Sequence, residues 1–178
     1  MRTSKTLQAF FVAAFSLCAV PLFAQKTPNL SDPEIASVAV TANQVDIGYA
    51  KLAQEKSKDA AILEFANTMA KDHQGVIDQA VALVKKLNVT PKDNAVSKQL
   101  NAGAEQTKKK LSDKTGKDFD KAYIDNEVSY HKAVISTVQD VLIPQSKNAE
   151  LKDLLQKVLP VLKTHLQHAT MVQSQISK

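Results

Sequence analysis

Four stretches of the chain place apolar residues alternately three and four positions apart, and that period constrains the fold more than any other feature of the sequence. The first opens at "SDPE", with Ser31 or Asp32 as helix cap, Pro33 in the first turn and Glu34 at the positive end of the dipole. Its seam runs Ile35, Val38, Ala42, Val45, Tyr49, Leu52. The second begins near Ser57 or Asp59, carries Ile62, Ala66, Met69, His73, Val76, Ala80, Leu83 and Leu87, and stops before the breaker "NVTPKDN". The third, with Asp118 as expected cap, has Ile124, Val128, His131, Ile135, Val138 and Leu142 and is expected to break at Pro144. The fourth, capped by Ser146 or Asn148, carries Leu151, Leu155, Val158, Leu162, His165, Ala169, Val172 and Ile176.

Between the second and third lies a weaker helical stretch from 94 to about 112, with Val96, Leu100 and Leu111 and a lysine run at 108–110 that reads as a solvated face. No strand pattern competes. Each seam must be buried against the others, so the expected fold is all-α, a four-helix bundle with an additional connecting helix between the second and third long helices. A connector of that length spans about 30 Å, enough for a ferritin-like crossover, while a simple up-and-down order remains the other arrangement.

The start of the chain has a different character. In "MRTSKTLQAFFVAAFSLCAVPLFAQ", Arg2 and Lys5 precede an apolar run from about Leu7 to Val20, and Ala24 ends the segment. This is the pattern of a secretory signal peptide over residues 1–24, followed by one domain over 25–178. The run falls short of the roughly 20 residues a membrane-spanning helix needs, so no span is expected in the mature chain. Cys18 leaves with the leader, which excludes disulfides and thiolate ligation. The whole chain has a formal net charge of +5, and loss of Arg2 and Lys5 brings it to +3, too balanced to suggest a nucleic-acid partner.

The anomaly lies on the seams. His73, His131 and His165 occupy the central apolar line of three different helices, and Asp46 sits on the edge of the buried face of the remaining one. If about a third of helix positions face a core, three histidines all landing there by chance is roughly a one-in-thirty event. All four residues lie near the middle of their helices and should meet at one level. Burying imidazoles is costly unless each finds a partner, and two arrangements supply one. A transition-metal ion (Zn, Cu or Fe) held by His73, His131, His165 and Asp46 is the first. Asp72, Glu127, Tyr123 and Met69 are then the neighbours that would orient the ligands or support the site. A hydrogen-bonded polar network is the second; it would suit a non-catalytic envelope-stress or protein-interaction role with a pH response.

An enzyme is the less favoured expectation. A di-iron carboxylate site needs Glu-x-x-His on two helices, and Glu127 lies four residues before His131, not three. There is neither a Gly-rich phosphate loop nor a nucleophile motif. Pro160 is expected to kink the last helix just before His165 and help aim it inward, with His168 at the rim.

The segments "FANTMAKDHQ", "FDKAYIDNEVSYHKAVI" and "LPVLKTHLQHA" together resemble the domain of unknown function 4142 family, through Met69, Asp72, His73, Phe119, Asp120, Tyr123, His131, Leu159, Pro160 and His165. The resemblance implies an exported bacterial protein with a ferritin-like bundle, in a family often labelled as predicted outer-membrane proteins. It therefore implies a periplasmic or otherwise exported location, with loose outer-membrane association as a variant. Where that family usually carries Glu on the first helix, this chain has Asp46, a shorter reach for a ligand.

Overall fold

The computed structural model describes residues 28–176; the leader assigned above lies outside them. Within them every regular element is helical. These are α1 (Asp32–Lys56), α2 (Ala60–Lys86), α3 (Ala95–Ser112), α4 (Gly116–Thr137), a π-helical turn (Val138–Leu142), the short α5 (Ile143–Gln145) and α6 (Ala149–Ile176).

Local chemistry starts most of these helices. At α1, Ser31 and Glu34 form a reciprocal capping box with Pro33 in the first turn. Asp59 caps α2 by accepting from the Ala61 and Ile62 amides. Asn94 does the same for α3 and also donates to the Glu34 carbonyl at 3.1 Å, tying α3 to the start of α1. The Asn148 side chain accepts from Glu150 and Leu151 at the head of α6.

Two expectations are corrected. Asp118 is not the cap of α4: the helix begins at Gly116, after Thr115, with Gly116 in the left-handed region (φ 54°), and Asp118 falls in the first turn. Pro144 does not end the helical path. The backbone widens into the π turn, where the Ile143 amide reaches the Val138 carbonyl, and the coil continues through Gln145. Pro160 lies within α6, with its residue exposed.

The long helices pack in a closed circuit: α1 on α2, α2 on α6, α6 on α4 and α4 on α1, while α3 lies against α1 and α4. One end gathers the start of α1, the end of α2 and the start of α6. There the Lys92 amide donates to the Pro33 carbonyl, Asp32 accepts from the Lys147 and Asn148 amides, and Lys86 pairs with Glu150. At the opposite end Ser57 donates to Asp120 at 2.5 Å and Lys56 reaches the Ser112 carbonyl. The chain therefore runs away along α1, back along α2, away along α3, back along α4 and away along α6.

The core divides into two apolar clusters. The far one contains the described core aromatics Tyr49, Phe65, Phe119 and Tyr123, with Met69, Ile62 and Ile124. The near one is wholly aliphatic: Leu30, Ile35, Val38, Val138, Leu142, Leu151, Leu155 and Leu162. Fully burying each such side chain is worth about 1.5–3 kcal/mol. Between the two clusters lies a polar layer.

Candidate metal centre

The polar layer contains Asp46 from α1, His73 from α2, Glu127 and His131 from α4 and His165 from α6, none more than 5% exposed. The three imidazoles face one another, with ring centroids 5.7 Å (His73 to His131), 5.1 Å (His73 to His165) and 5.6 Å (His131 to His165) apart. One nitrogen from each comes within 4.8 Å of the others, and a second set of ligand atoms at that spacing comes from Asp46, Glu127 and His131.

Each imidazole is held by one nitrogen. His73 Nδ1 lies 2.7 Å from Asn43 Oδ1, and the Asn43 amide is oriented by its own donation to the Ala39 carbonyl at 2.8 Å. His131 Nδ1 lies 3.0 Å from the Glu127 carbonyl, and His165 Nε2 lies 3.1 Å from Asp72 Oδ2. All three partners are acceptors, so the bonded nitrogen carries the hydrogen and the other keeps its lone pair. Those other nitrogens, His73 Nε2, His131 Nε2 and His165 Nδ1, are buried without a hydrogen-bond partner among the described residues.

The carboxylates show the same pattern. Both oxygens of Asp46 and both of Glu127 are buried and unpartnered. Asp46 Oδ2 stands 3.4 Å from His73 Nε2 and 3.7 Å from His131 Nε2, and Glu127 Oε2 is 3.5 Å from His131 Nδ1, contacts too long or misaligned for hydrogen bonds. No lysine or arginine pairs with either carboxylate among the described residues.

Burial therefore controls protonation. It pushes the Asp46 carboxyl up to about 8, and with the neighbouring Asp46 it holds Glu127 well above the usual carboxylate range. It lowers His73 to about 3, helped by His165 and His131, and His131 to about 4 against the pull of the Glu127 carbonyl. Burial lowers His165 too, against the opposing effect of Asp72.

The sequence expectations fare unevenly. His73, His131, His165 and Asp46 are brought together. Asp72 orients His165 and not the adjacent His73. Glu127 serves twice, its carbonyl orienting His131 while its carboxylate enters the layer. Tyr123 stacks on Phe119 beneath the layer, with its hydroxyl buried and unpartnered, and Met69 is wholly buried in the aromatic cluster. His168 is half-buried against Phe65. Sequence reasoning missed Asn43; the signal was available, since a short amide one turn before Asp46 on the same face is well placed to address a facing histidine.

No curated protein and no solved structure matches the chain. The model of one family, described as a domain of unknown function, matches residues 19–172, a span that includes all five residues of the polar layer, and the chain belongs to that family, DUF4142.

Proposed function

We propose that the protein binds one divalent transition-metal ion in its core, through His73, His131, His165 and Asp46, with Glu127 as a second carboxylate donor. The observation that carries this reading is charge. Two carboxylates are buried to within 1% of complete exclusion from solvent with no cationic side chain beside them among the described residues, and three lone-pair nitrogens converge on the same layer. Burying an uncompensated carboxylate costs several kcal/mol. A divalent cation balances two such groups at once, and nitrogen-rich coordination suits Zn, Cu or Fe over Ca or Mg. Asn43, Asp72 and the Glu127 carbonyl are the outer partners that fix ring orientation in such sites.

The closed circuit of four long helices with α3 laid outside supports a ferritin-like four-helix bundle as the scaffold. The leader pattern of residues 1–24 supports a periplasmic or otherwise exported location, and no helix of the described residues is long and apolar enough to cross a membrane. The rival reading, a pH-responsive polar network, is disfavoured by the number of polar atoms in the layer left without a hydrogen bond.

The test is titration of metal-stripped protein with Zn, Cu and Fe ions, following bound metal by elemental analysis, alongside His73→Ala and His131→Ala. One equivalent of tightly bound ion, lost in both variants, is expected. Binding no stronger than in the variants would overturn the proposal.

A further inference from the structure

The aliphatic half of the core holds a partly open cavity of about 180 Å³ that ends at the polar layer. Asn43, Asp46, His73, Tyr130 and His131 line it together with Thr137, and the remaining lining side chains are alanine, valine, leucine or isoleucine. An apolar cavity of roughly 150 Å³ stays dry and accepts a benzene-sized molecule, so this one accommodates about six to eight carbon atoms. The Asn43 amide and the Tyr130 hydroxyl are already engaged, with His73 and Ala39 and with the Ala42 carbonyl. The lining polar atoms left without partners are Asp46 Oδ1 and Oδ2, His73 Nε2 and His131 Nε2, all in the polar layer. The π-helical turn contributes Val138 and Leu142 to the wall, and such turns in helices are frequently found at functional sites.

We infer that this cavity binds a neutral aliphatic molecule bearing one hydroxyl group, its chain among the aliphatic side chains and its hydroxyl donating to the lone pairs of the His–Asp layer. The absence of lysine and arginine from the lining argues against an anion, whose charge would enter beside Asp46 with nothing to balance it. The almost wholly hydrocarbon wall argues equally against a sugar or other polyol, whose hydroxyls would go unbonded. This inference goes beyond metal binding and is made for the metal-free cavity, whose aliphatic wall and lack of lysine or arginine do not depend on an ion.

The experiment uses methyl-labelled, metal-free protein titrated with hexanol, with hexanoate and glucose as controls. Saturable shifts of the Val38, Ala80, Val138 and Leu155 methyls by hexanol are expected, with hexanoate weaker by about tenfold or more and glucose silent. Ala80→Phe and Val158→Phe, which fill the cavity without touching the polar layer's ligands, should each abolish the hexanol response. Should Ala80→Phe fail to fold, Val158→Phe carries the test. Absence of saturable shifts, equal binding of hexanoate, or an undiminished response in a folded filling variant would overturn the inference. Metal binding is read separately by elemental analysis, so its failure and the failure of the cavity inference are distinguishable.

Discussion

Asn43 illustrates how much of this site rests on residues that are not ligands. It fixes His73 with its oxygen because its nitrogen is committed to the Ala39 carbonyl. Asn43→Ala should keep the helical signal in circular dichroism and lower metal affinity about 10- to 100-fold, measured by competition with a chelator. Unchanged affinity would mean that packing alone holds His73. Asp46 sets the pH dependence. Its carboxyl, raised to about 8, must lose a proton before it can ligate, so affinity should climb about tenfold per pH unit from neutrality and level off near 8. Asp46→Asn should flatten that climb. The histidines and Asp46 were legible in the sequence because each stands on an otherwise apolar seam. The roles of Asp72 and Asn43 were not, since they depend on which helices become neighbours and on the rotation of each about its axis.

At the scale of elements, the sequence marked the helices through the three-and-four spacing, and it marked the starts of α2 and α6 through side chains that cap them, Asp59 and Asn148. It misled where a start depends on backbone conformation. Thr115 makes no side-chain cap bond, Gly116 supplies the left-handed turn, and Asp118 looked like the better cap. The π turn was equally hidden, because a proline in a sequence reads as a stop and the widening of the helix around Pro144 leaves no compositional trace. Asn94 joins two elements, capping α3 and bonding α1. Asn94→Ala should therefore cost about 1–2 kcal/mol in chemical denaturation. Metal affinity should hold, as α3 brings no residue to the polar layer; a matching loss of affinity would show that α3 helps to shape the site.

For the whole molecule, the buried layer couples folding to protons. Asp46 and Glu127 have folded pKa values above their unfolded ones, so their contribution to stability is present below about 4 and is lost as pH rises, through about 8 for Asp46. His73, His131 and His165 are depressed, so their contribution is present above about 6.5 and is lost as pH falls, towards about 3 for His73 and about 4 for His131. Between about 4 and 6.5 the two trends oppose one another; above 6.5 only the carboxylates still titrate. Metal-free protein should therefore show no fall in melting temperature from pH 4.5 to 6.5 and a fall from 6.5 to 8, measured by calorimetry. Metal-loaded protein should not show that fall, and at free metal a thousandfold above the dissociation constant it should gain about 4 kcal/mol. An equally steep decline in the loaded protein would show that these carboxylates are not what the ion compensates.

The division of the core into an aromatic half and a hollow aliphatic half also determines where the native protein opens. Amide hydrogens of α4 beside Phe119 and Tyr123 should exchange with deuterium only through complete unfolding. Those at the end of α2 and the start of α3, which border the cavity through Leu83, Val84, Val96 and Leu100, should exchange through smaller local openings. One end of the molecule then serves as its anchor. The other should open more readily, and such openings would widen the way for a small apolar molecule into a cavity that the average structure covers only in part.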